Sequence, residues 1–202
     1  KAKLALAFKK LQLEAKEMLN KNLDNKSGEY LEVFEAYQMF ARDKGWRKRM
    51  EASIQRGLAA TVAVEKEQTE TRARMSRISD PYIRDRLHDL DDISNRLMRI
   101  LTKTEVKIDK NALKNSILVA RNIGPGELLD YGPNLLGVIL EDGSVGSHAS
   151  IVARALAIPL VVKADRIRRE AQNGDLIILD ANSGQLYLRP EDSIQKAYID
   201  KL

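Results

Sequence analysis

The residues with the clearest chemical potential lie in the segment 141–162, whose sequence is EDGSVGSHASIVARALAIPLVV. A strand predicted at residues 135–140 leads into a turn of small residues, and a helix is predicted to begin at Ser147 and His148. The N-terminal end of a helix offers backbone N–H groups and a favourable dipole to an anion. Because a neutral imidazole nitrogen is a nucleophile, His148 is a candidate to accept a phosphoryl group there. A single histidine is more often structural, so the residues alone leave both interpretations open.

The polar residues around His148 suit supporting roles. Ser144 and Ser147 can cap the helix or donate to a phosphate, and capping is the commoner use. Arg154 lies seven positions after Ser147 and returns to the same helical face. It can contact a phosphate or stabilise the turn by donating to carbonyl groups, and we favour the structural role. No metal site is expected, because His148 has no second ligand at a recognisable spacing.

The composition excludes several other classes of function. The chain has 202 residues, 44% of them hydrophobic and 31% charged, and it contains no cysteine. Disulfide scaffolds, zinc–thiolate sites, iron–sulfur clusters and thiol nucleophiles are therefore excluded, and a reducing cytoplasmic location is expected. No apolar run approaches the roughly 20 residues of a membrane helix, and no signal peptide is visible. The chain opens at Lys1 inside a helical pattern, so we expect a fragment of a longer protein.

Residues 1–105 have the pattern of a helical domain. Apolar residues recur at helical spacing, and the second of these helices presents Leu31, Phe34, Tyr37 and Met39 as its apolar positions. The net charge of +5 lies wholly in this half. Because the excess is small, positive and negative residues are interspersed, and the few aromatic residues form no stacking platform, neither nucleic acid nor a membrane is expected as a partner. Its basic cluster at 44–49 is interpreted as a solvated helix end. Short turns between helices predict an antiparallel bundle of hairpins. Helices are predicted at 1–23, 30–41, 46–55, 59–78 and 81–101.

After residue 110 the pattern changes to short apolar runs separated by glycine and proline. Such runs are typical of buried strands, which predicts a compact α/β domain. The fold class is therefore α + α/β, with a helical subdomain at 1–105, an α/β domain at 106–192 and a closing helix or linker at 193–202. Strands are predicted at 116–120, 135–140, 158–162, 176–179 and 185–188, and helices at 148–156 and 164–171.

The segment around His148 resembles the phosphohistidine signature of enzyme I of the phosphoenolpyruvate-dependent phosphotransferase system, G-G-x-T-S-H-x-x-I-x-A-R-x-x-x-x-P. Pyruvate phosphate dikinase and phosphoenolpyruvate synthase share this signature, so it identifies the domain rather than the enzyme. The helical half decides for enzyme I, since 34–39 and 82–97 resemble its hairpins. The run 150–159 is closer to the nitrogen-related branch. Matching positions in the signature are Gly143, Ser147, His148, Ile151, Ala153, Arg154 and Pro159, and Asn173–Asp175 with Leu179–Asp180 match a later family segment.

The resemblance implies a specific activity. His148 would accept phosphate from phosphoenolpyruvate at its Nε2 atom and pass it to a histidine of an HPr-type carrier. The helical half would dock the carrier, and the α/β half would be the swivelling phosphohistidine domain. The phosphoenolpyruvate and Mg²⁺ site of this family lies in a C-terminal barrel outside this chain, so no cofactor is expected here. The longer protein would be a cytoplasmic homodimer with a role in nitrogen regulation.

Carrier docking is assigned by resemblance to the family's hairpins, and three departures from the family pattern accompany it. Gly146 stands where the family has threonine, the run 122–126 (NIGPG) replaces an aspartate-leucine-threonine/serine-proline run, and the family's N-terminal strand is missing. His88 is interpreted as a surface or packing histidine. The docking candidates are Glu29, Glu35, Tyr37, Asp43, Arg86 and Asp89.

Two alternative functions stay open at this point. One is the mobile phosphohistidine domain of a dikinase-like or synthase-like enzyme, which the missing nucleotide-binding glycine-rich loop and the helical hairpins argue against. The other is a degenerate module that only binds the carrier, for which Gly146 is the best support.

Overall fold

The computed structural model describes residues 1–21, 28–75, 77–78, 80–104 and 113–200, and it divides into two compact units. The helical unit comprises Lys1–Ile108 together with Gly124–Leu129, and the α/β unit comprises Asp109–Ile123 and Asp130–Leu202. The sequence prediction had placed 124–129 in the α/β domain. The structure assigns it to the helical unit because its backbone is held by side chains of that unit, as described below.

The helices of the helical unit follow the predicted pattern closely. α3 begins where the Asp43 side chain accepts the backbone N–H of Trp46, and α5 begins at Pro81, a residue suited to the first turn because it lacks an N–H. The turn predicted at residues 22–28 lies almost entirely outside the described residues. No described helix is long and apolar enough to cross a membrane. The helices are α1 (Ala2–Lys21), α2 (Gly28–Ala41), α3 (Lys44–Gln55), α4 (Ala60–Met75) and α5 (Pro81–Thr102).

The core of the helical unit forms where the apolar faces of these helices meet. Phe8 of α1 packs edge-on against Trp46 of α3, with ring centroids 5.3 Å apart. Each fully buried large apolar side chain contributes about 1.5–3 kcal/mol. Met39 was predicted on the apolar face of α2 but is 61% exposed, because it lies two residues after Tyr37 and so points to the opposite side. Fully buried members include Leu4, Leu11, Met50, Ile93 and Leu97.

Charged side chains join neighbouring helices of this unit. The buried carboxylate of Glu67 on α4 accepts from Arg49 of α3 at 2.6 Å and from Arg74 at 3.1 Å. Arg72 of α4 pairs with Asp91 of α5 at 2.8 Å. Within the basic cluster, Arg47 and Arg49 both have carboxylate partners on the protein itself. This pairing supports the structural interpretation of that cluster.

The α/β unit contains a parallel sheet in the order β1-β2-β3 and an antiparallel pair of β4 and β5. Helices supply the crossovers that parallel strands require. β2 is buried except at Leu136, whereas β1 and β4, predicted as buried strands, are half-buried. β3 has one buried residue, Val161, and β5 begins at the exposed Gln185. The described elements after residue 113 are β1 (Ser116–Ala120), α6 (Pro125–Tyr131), β2 (Leu135–Leu140), α7 (His148–Ala155), β3 (Leu160–Val161), α8 (Ile167–Glu170), β4 (Ile177–Asp180), β5 (Gln185–Leu188) and α9 (Asp192–Ile199). Of these, α6 lies mostly in the segment that belongs to the helical unit.

Two of these elements are shorter than predicted, and one was missed. β3 has two residues rather than the predicted five, since Pro159 has no N–H to donate and Lys163 turns the chain with a positive φ of 61°. α8 has four residues because Arg166 immediately before it has a φ of 63°, outside the helical region. The sequence prediction missed α6, because its start reads as a Gly-Pro-Gly turn.

The family segment around Asp175 and Asp180 has a structural role in the β4–β5 pair. Arg189 donates to both carboxylate oxygens of Asp175 at 3.0 and 2.8 Å, and this pairing lowers the pKa of Asp175. Asp180 accepts the backbone N–H groups of Asn182 and Ser183 and so closes the turn between the strands. The two aspartates therefore fix the hairpin.

Candidate functional site

His148 is the first residue of α7, the helix that follows the central strand of the parallel sheet. β2 ends at Leu140, and the connection from 141 to 147 brings the chain to the N-terminal end of α7. The prediction that a histidine begins a helix at this place is confirmed.

A network of three serines fixes the start of α7. Ser147 is the N-cap, and its Oγ accepts the backbone N–H of Ser150 at 3.3 Å. The Ser150 hydroxyl donates to the carbonyl of Ser144 at 2.7 Å, which uses its only proton. The Ser147 hydroxyl therefore donates to Ser150 across their 3.0 Å contact. Because Ser147 and Ser150 are 8% and 6% exposed, both are committed to holding the turn.

The network confirms the helix cap predicted for Ser147 and adds a further residue, Ser150. Ser147 was predicted to cap the helix or donate to a phosphate, and its geometry confirms the cap. Ser150 was not singled out from the sequence, although its spacing three residues after the N-cap matches that of a capping box. We expect Ser150 to orient His148 through the turn rather than to contact a reacting group.

The imidazole of His148 is half-buried, and its Nδ1 atom is buried. Burial of Nδ1 favours Nε2 as the atom that meets an incoming phosphoryl group, and the reacting nitrogen stays a prediction. The helix dipole favours negative charge at this end of α7. Arg154 lies in the last turn of the same helix and is exposed, and its structural role stays a prediction.

The two glycines before His148 differ in what they require. Gly143 has a φ of 121°, a backbone conformation that side chains rarely adopt, so the turn needs glycine there. A Cβ atom built on Gly146 meets nothing within 4 Å, and neighbouring Val145 is 70% exposed. Packing therefore permits the threonine that the family carries at position 146.

The predicted docking residues do not share one environment. Glu29 and Glu35 are exposed on α2. Asp43 is exposed as well, but its carboxylate caps α3. Tyr37 and Asp89 are 2% and 3% exposed, so neither side chain is placed to touch a partner.

Two further residues complete the predicted set. The side chain of Arg86 lies outside the described part of the structure. His88, interpreted as a surface or packing residue, is half-buried on α5.

A buried polar cluster that the sequence prediction missed holds the segment Gly124–Leu129 in the helical unit. The Asp92 carboxylate accepts the backbone N–H of Gly126 at 2.7 Å, and Arg96 donates to the carbonyl of the same residue at 3.1 Å. Arg96 also pairs with Glu14 of α1 at 3.3 Å. Burial raises the pKa of Asp92 to about 7, although Arg96 and the Gly126 N–H oppose the rise.

The backbone at Gly124 and Gly126 approaches the Asp92 side chain closely. A Cβ atom on Gly124 would lie 2.3 Å from the Asp92 side chain. One on Gly126 would lie 2.8 Å from the Asp92 Oδ2 atom and 3.0 Å from the Tyr37 hydroxyl. Real Cβ contacts are not this short, so the backbone seats against Asp92 only because both positions lack side chains.

The Mg²⁺ expected of the longer protein finds no ligand set in the described ranges. Within them, no group of three or more histidine, aspartate or glutamate side chains is placed to hold a metal ion.

Comparison with known proteins yields matches to both halves of the chain. Residues 1–86 match the N-terminal region of the PEP-utilising enzymes, where PEP is phosphoenolpyruvate, and residues 113–184 match their mobile domain. The second match includes His148. This chain belongs to the PEP-utilising enzymes. Helices α1 to α4 lie within the range that matches the family's N-terminal region, and the serine network lies within the range that matches its mobile domain.

Relatives among the PEP-utilising enzymes include the phosphoenolpyruvate-protein phosphotransferase of Buchnera aphidicola subsp. Baizongia pistaciae. It is 30% identical over 180 residues, which cover 88% of this chain and 31% of that protein. The chain spans less than a third of the length of the curated relatives it matches.

Two solved structures have the same fold. A solution structure of Enzyme I has a TM-score of 0.64 and 28% identity, with coverage of 99% of this chain and 82% of that one. An N-terminal domain of the nitrogen Enzyme 1 has a TM-score of 0.61 and 25% identity, with coverage of 98% and 82%. The predicted family resemblance and the α + α/β fold class are confirmed.

Proposed function

We propose that this chain is the phosphoryl-transfer part of an enzyme I-type phosphotransferase, with His148 as the residue that carries the phosphoryl group. The observation that supports this most is the position of His148 as the first residue of α7, behind a serine-fixed turn in the matched mobile domain. A mobile domain suits a group that must visit two sites, a donor and an acceptor.

In the proposed step, the lone pair of His148 Nε2 attacks the phosphorus of a phosphorylated carrier histidine. A new N–P bond forms as the N–P bond of the carrier breaks, and the carrier ring leaves with that electron pair. The phosphorylated carrier ring reacts with a proton on its second nitrogen and therefore leaves as neutral imidazole, while His148 keeps its Nδ1 proton and becomes the protonated phosphohistidine. Charge is balanced without a proton transfer, and the same step runs in reverse. With phosphoenolpyruvate as donor, the P–O bond breaks and enolpyruvate leaves, in a site that we place outside this chain.

The N-terminal end of α7 is expected to stabilise the negative charge of a phosphoryl group bound to His148. The phosphoryl group on Nε2 would lie where the helix dipole favours an anion, a contribution of about 0.3–1 kcal/mol at a partly exposed helix end. Burial of Nδ1 supports Nε2 as the reacting nitrogen. The serine network limits the freedom of the turn, so the ring is positioned before the carrier arrives.

The helical unit is the proposed docking surface for an HPr-type carrier. Glu29 and Glu35 are exposed on α2 and suit a carrier with basic residues around its histidine, since complementary charge speeds association. The double variant Glu29→Gln, Glu35→Gln should slow exchange more in low salt than in high salt. Glu17→Gln on α1 is the matched control, because Glu17 is also exposed. Equal rates in both variants would exclude these residues from docking.

We assign the carrier to the nitrogen branch because the run 150–159 is closer to that branch, and the likeness to the nitrogen Enzyme 1 domain agrees with this assignment. Exchange rates with a nitrogen-type and a sugar-type carrier, measured side by side, test this assignment. Faster exchange with the sugar-type carrier would reverse it. Cytoplasmic action and dimerisation of the longer protein stay predictions.

The experiment that tests the proposed function is phosphate exchange with a phosphorylated carrier. Intact mass should show one acid-labile phosphate on the native chain and on His88→Ala, and none on His148→Ala. Carrier binding without phosphate uptake would favour the alternative of a module that only binds the carrier. In that case, the variant Gly146→Thr would test whether the family's threonine restores phosphate uptake. Absence of both binding and uptake would overturn the proposal.

A further inference from the structure

A cleft of about 580 Å³ in the α/β unit plays no part in the phosphoryl-transfer proposal. It lies where all three parallel strands end. Arg121 follows β1, and Glu141 and Asp142 follow β2. The remaining lining residues follow β3 and are Asp165, Arg166, Arg168 and Arg169. Every lining residue is charged, and the crevice beyond the carboxyl ends of parallel strands is where ligands bind in such sheets.

Ion pairs across the cleft account for four of these residues. Arg121 donates to Asp142 at 2.9 Å and links the ends of β1 and β2. Glu141 accepts the backbone N–H of Arg168 at 3.1 Å, and its carboxylate lies 3.8 Å from the Arg168 guanidinium. These pairs engage four of the seven lining residues.

The other three charged groups are available to a ligand. Within the part of the chain that the structure describes, the guanidinium groups of Arg166 and Arg169 and the carboxylate of Asp165 have no hydrogen-bond or ion-pair partner. Arg166 also holds a φ of 63°, which costs an ordinary residue about 1 kcal/mol and which strained binding loops often retain. The cleft therefore holds two unused cations beside one unused acceptor.

We propose that this cleft binds a small hydroxylated phosphate monoester. Two planar guanidinium groups match the oxygens of a phosphate dianion in paired hydrogen bonds. The carboxylate of Asp165 accepts only, so it selects a ligand that carries hydroxyl donors beside its phosphate. The volume lies in the range of small-molecule sites. A flat acidic protein surface fits less well, because Asp165 would repel it.

The test is a titration of the chain with glycerol 3-phosphate, followed by backbone amide NMR shifts. Saturable shifts at 121, 141–142 and 165–169 are expected. Arg166→Asn and Arg169→Gln should each weaken binding about tenfold, the effect of losing one charge-assisted hydrogen bond. Asparagine is chosen at position 166 because it tolerates a positive φ. Arg42→Gln in the helical unit is the matched control, since Arg42 is exposed and outside the cleft.

Three results would overturn the proposal. The first is an absence of saturable shifts in the cleft, with all variants shown by their spectra to be folded. The second is equal weakening in Arg42→Gln, which would indicate general charge attraction. The third is binding of inorganic phosphate as tight as that of glycerol 3-phosphate, which would remove the role of Asp165. None of these results depends on phosphate uptake by His148.

Discussion

Replacing Asp92 with asparagine is expected to remove a pH-dependent loss of stability from the helical unit. The ordinary pKa of an aspartate is 3.8, and burial raises that of Asp92 to about 7 in the folded chain. Between these values the unfolded chain has released the proton while the folded chain still holds it. The stability that protonated Asp92 contributes is therefore complete below about pH 4 and is lost as the pH rises towards about 7.

The size of this effect follows from the pKa difference. A difference of about three pKa units corresponds to about 4 kcal/mol, at about 1.4 kcal/mol per unit. Asparagine keeps an oxygen for the Gly126 N–H but brings an amide N–H to the place of the Asp92 Oδ1 atom. Among the described residues, Oδ1 has no hydrogen-bond partner, so this N–H costs about 1–3 kcal/mol at every pH. Because this cost is the same at every pH, it does not change how the free energy of unfolding depends on pH.

The charged groups around Asp92 set the direction of the shift. Arg96 and Arg99 favour its ionised form, and Glu127 opposes it, while burial outweighs all three. Glu14 faces Arg96 from α1 and so draws part of its charge away from Asp92. The net result is a carboxyl group that titrates within the physiological range.

The assay is urea unfolding of the native chain and of Asp92→Asn across about pH 4 to about pH 8. The native free energy of unfolding minus that of the variant should fall by up to about 4 kcal/mol over this window. Asp91→Asn controls for loss of charge on α5, because Asp91 pairs with Arg72 at the surface. If the free energies of unfolding of the native chain and of Asp92→Asn change in parallel with pH, the reasoning is refuted.

Three further predictions concern packing and the turn before His148. Gly124→Ala should lower the free energy of unfolding by about 1–3 kcal/mol through overpacking. Gly28→Ala is the control, because a Cβ atom there meets nothing within 4 Å. Equal shifts in the melting temperature of the two variants would contradict this prediction. Ser150→Ala should cost about 1–2 kcal/mol and slow phosphate uptake from the carrier about tenfold, and an unchanged rate would remove its positioning role. Glu67→Gln should cost about 1–3 kcal/mol in urea unfolding, since it removes a buried carboxylate that accepts from two arginines, and native stability would contradict that contribution.

Helical periodicity accounts for what the sequence predicted well. Leu4, Phe8 and Leu11 recur at intervals of three and four, and all are buried in α1. The start of α7 was also predictable, since small residues precede a helix-capping serine and His148. In both cases the signal lies within a few neighbouring residues.

Features that depend on distant residues were not predictable in the same way. α6 begins in a Gly-Pro-Gly run that reads as a turn, and its N–H group at Gly126 finds its acceptor on Asp92, 34 residues earlier. The docking assignment of Tyr37 and Asp89 came from resemblance alone, which does not report burial. Only the packed helical unit shows that these side chains face inward.

The most direct test of the central claim is to identify the atom that carries the phosphate. The chain, with nitrogen-15 in its histidine rings, is phosphorylated by the carrier and studied by NMR. The account predicts phosphorus coupling to Nε2 of His148 and an unchanged ring at His88. Coupling at His88, at Nδ1 of His148, or at no histidine nitrogen in a chain whose mass shows one phosphate would contradict it.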